Sequence, residues 1–234
     1  YRLSDGQHQA IGTIGTSPEE NRAFIGLSRH FEQCGLPVPH ILGVSSDDMA
    51  YIQSDLGDTS LYSAISTGRE SQQYSSDEQQ QLHRVIGLLP RFQILGAQGL
   101  DTTLCYPTPQ MDATTVHFDL NYFKYCYLKL LPDLDFNELT LQKDFNSLCS
   151  DILSLISTSE PTVILRDFQA RNVMLVDRQP YFIDYQGCRL GPAEYDLASF
   201  LWQSSAHYSP ELREALIDTY VQSTNQPRPT NGAT

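Results

Sequence analysis

The chain predicts an α+β fold in two lobes, a small strand-rich one followed by a larger, mainly helical one. Three observations carry this reading. Before residue 56, short apolar runs flank one well-capped helix. Between Leu82 and Ile156, apolar residues recur at three- and four-residue spacing. From Thr162 to Ile183 the period shortens again, around a polar loop. The boundaries read from these changes are 1–56 for the first lobe with its hinge, 57–225 for the second, and 226–234 for a flexible tail rich in Pro, Asn, Gly and Thr.

The opening through Gln9 to Gly15 reads as a strand hairpin. Ser17-Pro18-Glu19-Glu20 follows with an N-cap, a Pro at the first helical position and a capping-box Glu, so a helix should run to about Cys34. Gly35 stops it, Pro37 and Pro39 mark the exit, and strands are expected at Ile41–Val44 and Met49–Gln53. Gln53 to Asp58 is a polar, glycine-containing hinge, with Asp58 placed to cap a short helix through Ile65 and a polar stretch from Ser66 to Ser76 beyond it. Leu82, Val85, Ile86, Leu89, Phe92 and Leu95 form one helical stripe, and Leu141, Phe145, Leu148, Ile152 and Leu155 another, in a helix over 139–156. A further helix is expected over 118–130. β-rich runs at Thr162–Leu165, Val173–Val176 and Tyr181–Ile183 precede a helix carrying Leu197, Phe200 and Leu201, for which Asp196 is the expected cap.

Acidic residues outnumber Lys and Arg by 28 to 15, and the net charge of -13 repels nucleic acid and anionic lipid. The expected partner is a small molecule or a protein. A polyanionic nucleotide would need concentrated positive charge in this field, which favours a magnesium site. The five cysteines form no C-x-x-C pair, and their odd number argues against a complete disulfide framework. No apolar run reaches the roughly 18 residues of a membrane span, so a soluble cytoplasmic protein is expected. Tyr1 begins mid-pattern without a signal peptide's features, and sequence is expected upstream of it.

The chemistry concentrates in Val163-Ile164-Leu165-Arg166-Asp167-Phe168-Gln169-Ala170-Arg171-Asn172-Val173-Met174-Leu175, followed by Tyr181-Phe182-Ile183-Asp184-Tyr185-Gln186. Its layout is strand, polar loop, strand, turn, strand, Asp. Phosphoryl transfer needs an oriented acceptor hydroxyl and magnesium to neutralise phosphate oxygens, and two carboxylates with one amide suffice for both. The D-x-x-x-x-N spacing lets one loop aim Asp167 at an acceptor while Asn172 reaches metal, with Asp184 as the second ligand. The same residues could instead be turn carboxylates and a turn amide. Arg166 and Arg171 could touch phosphate or acceptor, or pair with neighbouring acids.

Arg166 to Asn172 resembles the catalytic loop H-x-D-x-x-x-x-N of aminoglycoside phosphotransferases and choline kinases, and Ile183-Asp184-Tyr185-Gln186 resembles their metal-binding segment. Gly191-Pro192-Ala193-Glu194-Tyr195-Asp196-Leu197-Ala198-Ser199 is similar to a segment of the sugar-kinase branch that contains anomeric kinases of N-acetylmuramate and N-acetylglucosamine. The likeness extends to Glu20–Phe24, Gly35–Pro39 and Asp55–Asp58. It implies a protein-kinase-like fold with an incomplete nucleotide lobe and a catalytic lobe that continues past this chain's end. It further implies Mg2+ with ATP or GTP, the base read near Gln53, Asp55 and Leu56, Glu20 as the partner of a phosphate-binding Lys, and Gln169 and Gln186 near phosphate or substrate.

The chain departs from that pattern in two places. Leu165 stands where the family has a loop-supporting His, and the strand over Ala10–Gly15 carries no nucleotide lysine, nor is there a glycine-rich turn upstream. Gly12-Thr13-Ile14-Gly15 is a weak substitute for a phosphate loop. The reading is a phosphotransferase acting on a hydroxyl of a sugar. An aminoglycoside is the second acceptor class, with Asp112, Asp119, Asp133, Asp135 and Glu138 available as negative charge around a cleft. A catalytically silent module is the third reading.

Overall fold

The computed structural model describes residues 1–225, and the expected flexible tail at 226–234 lies outside the described residues. A four-stranded antiparallel sheet opens the fold, built from β1 (Arg2–Ser4), β2 (Gln9–Ile14), β3 (Ile41–Val44) and β4 (Ala50–Ser54) in the order β1-β2-β4-β3. Between β2 and β3 runs α1 (Pro18–Gln33), which starts where Ser17 accepts the Glu20 amide and ends at Gly35 in a left-handed conformation, φ 68°. Only glycine adopts that conformation without a Cβ penalty, which is why the helix stops there. Glu20 does not return the capping-box bond. Its side chain is exposed, so the cap is the serine's alone.

One continuous core joins this sheet to the helical part. The rings of α1 make the junction: Phe24 stacks on Tyr51 of β4 and on Tyr185, with centroids 5.2 and 5.0 Å apart. Phe31 meets Phe92 and Tyr185 edge-on. Phe92 belongs to α4 (Ser76–Leu95), which opens on a reciprocal Ser75–Glu78 capping box and buries Leu82, Val85, Ile86, Leu89 and Phe92 completely. Its other face packs on α8 (Pro210–Thr224), close enough that Gly87 abuts Ser223 and Thr219.

Several expectations need correction. Asp58 caps nothing; with Asp55 it binds the Arg2 guanidinium, tying β1 to the hinge, and Ser60 caps α2 (Leu61–Ala64). The polar stretch after Ser66 contains α3 (Ser66–Ser71), whose buried Gly68 amide is held by Glu78. The helix expected over 118–130 is α5 (Ala113–Cys126), started five residues earlier by Asp112. In α6 (Glu138–Thr158) the predicted stripe is only partly buried, with Phe145 inside while Leu148 and Leu155 remain exposed, and Cys149, outside the stripe, is buried as well.

Two small antiparallel pairs complete the scaffold. β5 (Thr162–Ile164) pairs antiparallel with β8 (Arg189–Gly191), and β6 (Val173–Val176) pairs with β7 (Gln179–Phe182). α7 (Glu194–Leu201) follows β8. The strand β8 escaped the sequence reading because three residues are too few for a period.

Candidate functional site

The loop from Leu165 to Asn172 connects β5 to β6, and Asp184 follows β7, so two adjacent strand pairs present both segments at one place. Backbone pairing fixes their separation. The Ile183 amide donates to the Asn172 carbonyl at 3.0 Å. Asn172 then closes the site, its Nδ2 donating to the Asp167 carbonyl at 2.9 Å and to Asp184 Oδ2 at 3.0 Å. Gln186 Nε2 donates to the other Asp184 oxygen at 3.0 Å. The three residues singled out by spacing therefore meet.

The loop's support comes from Asp196. This carboxylate does not cap its own helix, as expected from sequence; α7 has no side-chain cap. It is wholly buried, and its two oxygens accept the amides of Leu165 at 2.7 Å and Arg166 at 2.9 Å. Those bonds hold Arg166 at φ 73°, a conformation costing a non-glycine residue about 1–3 kcal/mol. Leu165 itself is buried, so it fills its volume while the backbone bond to Asp196 anchors the loop. Burial pushes the Asp196 carboxyl up to about 7, against the two amide bonds that favour its ionised form.

Asp167 keeps access to solvent, yet its carboxyl is raised above the ordinary range, first by desolvation and then by the charge of Asp184. The Asp184 carboxylate, beside an Asn172 amide oxygen free of hydrogen bonds among the described residues, forms a hard-oxygen donor set. That set suits Mg2+, which binds through one or two carboxylates and completes its shell with phosphate and water. Asp184 also sits at φ 63°, a second strained position in the same site.

A cleft of about 350 Å³ opens at these residues, lined by Asp184, Asn172 and Gln186 on one side and by Phe24, Tyr51 and Gln53 on the other. The Gln53 Oε1 is buried without a partner. Asp55 is occupied by Arg2, and Leu56 is half-buried in the hinge. A larger recess, about 500 Å³, lies across the sheet beside Gly12 and Ile14, but its wall is apolar and carries no carboxylate, so the chemistry belongs to the smaller cleft.

The remaining candidates have other partners. Arg166 pairs with Asp119 of α5, Gln169 accepts from Gln203, and Arg171 lies over the Tyr62 ring. Glu20 stands at the exposed start of α1. Of the acids considered for a cationic acceptor, Asp112 caps α5, Glu138 is neutralised by Lys124 and Lys129, Asp133 and Asp135 are exposed, and Asp119 stands behind the loop. Sequence reasoning missed the aromatic wall of Phe24 and Tyr51. It depends on a contact between α1 and β4 that leaves no local signal.

Comparison with known proteins places this geometry. Two curated relatives, the N-acetylmuramate/N-acetylglucosamine kinases of Neisseria meningitidis and Pseudomonas aeruginosa, are 27% identical over 187 residues and 23% identical over 223. They cover 78% and 94% of this chain, which spans 51% and 61% of their lengths. The fold is that of the streptomycin–ATP–APH(2″)-IIa ternary complex, TM-score 0.63 at 15% identity over 94% of this chain and 76% of that one. It is also that of the choline kinase LicA from Streptococcus pneumoniae, TM-score 0.64 at 11% identity over 94% and 70%. Residues 1–229 match the model of the phosphotransferase enzyme family, and with the loop and the kinase-like fold in agreement, the chain belongs to that family.

Proposed function

We propose that the chain carries the transfer site of a magnesium-dependent kinase, which moves the terminal phosphate of ATP or GTP to a hydroxyl of a sugar or amino sugar. The observation that carries this reading is the meeting of Asp167, Asn172 and Asp184 on a loop held from behind by a buried carboxylate. Residues 1–56 would form the nucleotide lobe with its hinge and 57–225 the catalytic lobe. Asp184 and Asn172 would hold Mg2+, which neutralises phosphate oxygens when bound. Asp167 accepts the acceptor's hydroxyl proton as that oxygen bonds to the terminal phosphorus, while the bond to the bridging oxygen breaks and the nucleoside diphosphate leaves. Its raised pKa makes it a better proton acceptor than an ordinary aspartate.

The sugar acceptor is favoured by the names of the curated relatives, and an aminoglycoside is the runner-up. Five free cysteines fit a cytoplasmic protein, and no helix among the described residues is long and apolar enough to cross a membrane. A silent nucleotide-binding module is the second reading, favoured by Leu165 and by the absence of lysine from β2.

Thermal melting with ATP or GTP, with and without Mg2+, tests the site. At about 100 times the dissociation constant, binding to the folded state alone stabilises by roughly 2.7 kcal/mol. For a chain of this size that is a rise of about 5–10 °C. The rise should require Mg2+ and vanish in Asp184→Ala. No rise with either nucleotide at millimolar concentration sinks the reading, and a rise without phosphate transfer to any sugar leaves the silent module.

A further inference from the structure

Arg189 is an unexplained charge beside the transfer site. It lies in β8, directly after the Asp184 segment, and is 2% exposed. Its Nε donates to the Gly187 carbonyl at 3.2 Å and its Nη1 to Thr108 Oγ1 at 2.8 Å. Its Nη2 is buried and has no hydrogen-bond partner. A buried donor without an acceptor is costly, and a buried guanidinium stays protonated, so this atom calls for an oxygen.

The side chain borders a small cavity of about 10 Å³ together with Asp119, Arg166 and Tyr195. That is room for roughly one oxygen atom. The cavity's charges do not cancel: Asp119 is engaged by Arg166, which leaves the guanidinium of Arg189 in excess. Desolvation and the neighbouring charge of Arg166 both lower the Arg189 pKa, as expected of a cation that lacks a counterion. Arg166, which lines the cavity, is the chain neighbour of Asp167, so the cavity adjoins the proposed transfer centre. In a chain of net charge -13, a local excess of positive charge bordering an oxygen-sized space is a selective feature.

Resting on the phosphotransferase reading above, we propose that Arg189 is a specificity-determining residue of the acceptor site. Its Nη2 donates to one oxygen of a carboxylate carried by the acceptor, so a carboxylate-bearing sugar is preferred over its neutral analogue. Only the tip of the substituent enters the cavity, and the sugar ring stays on the Asp167 side. Thr108 orients the guanidinium through its bond to Nη1.

The test is the ratio of kcat/KM for N-acetylmuramate, which carries a carboxylate, to that for N-acetylglucosamine, which does not, measured on the full-length chain. The unsubstituted protein should favour the acid. Arg189→Met should lower the ratio at least about tenfold, through KM for the acid, and Thr108→Val should lower it less. Because each ratio is internal to one protein, a loss of folded material cancels, and Thr108→Val decides should Arg189→Met fail to fold. A ratio unchanged in the variants, or one favouring the neutral sugar at the outset, overturns the assignment while leaving the kinase reading intact. Transfer to neither sugar overturns both.

Discussion

Asp196 is the point where a single substitution should report on the whole loop. Its two oxygens each accept one amide, from Leu165 and Arg166, in full burial. The carboxyl sits at about 7 in the folded chain against an ordinary 3.8, so between those values the folded state holds a proton that the unfolded state has lost. Stability from this group is therefore fully present below about pH 4 and declines as pH rises to about 7. The difference corresponds to about 4 kcal/mol. Asp196→Asn removes the titration but offers one acceptor oxygen where two amides need one, a cost of about 1–3 kcal/mol. The variant should thus be less stable than the parent at pH 4.5 and should close or reverse that gap by pH 8. About 3 kcal/mol of that falls between pH 4.5 and 8, so the gap in melting temperature should move by about 6–13 °C across the range, at 2–4 °C per kcal/mol for a chain of this length. Other titrating groups are common to both proteins and cancel in the comparison. A difference that stays constant between pH 4.5 and 8 would refute the argument that Asp196 is desolvated while holding the loop.

On the proposed assignment, in which Asp167 takes the acceptor's proton and Asp184 and Asn172 hold the metal, Asp167→Asn should lower turnover by about 10²- to 10⁴-fold while preserving the Mg2+-dependent melting shift; unchanged turnover removes it from the mechanism. Phe31→Ala should cost about 3–5 kcal/mol in denaturant unfolding, since the ring is fully buried between Phe92 and Tyr185, and a loss below about 1 kcal/mol would mean that α1 is not anchored through it.

The three residues of the candidate site were legible from their spacing. D-x-x-x-x-N followed by an Asp-terminated strand names Asp167, Asn172 and Asp184, and the structure brings them within hydrogen-bond reach through two bonds from one amide. Helix starts were equally readable at Ser17, whose hydroxyl accepts an amide three residues on. Such signals are local: the cap, the period and the loop spacing each lie within a few residues, where the chain's own geometry enforces them. Asp58 misled because its predicted role was local while its actual partner, Arg2, lies 56 residues away.

What the sequence by itself determined, then, is the order of elements, the family-like loop and the three residues that meet at it. Only the tertiary structure decided what holds that loop and what stands beside it. Asp196 reaches back 30 residues to Arg166, Asp119 crosses 47 to the same arginine, and Arg189 spans 81 to Thr108. A carboxylate looks the same in sequence whether it caps its own helix or another segment's amides. Burial and pairing are properties of the neighbours brought in by folding, and those neighbours leave no trace in the residues on either side.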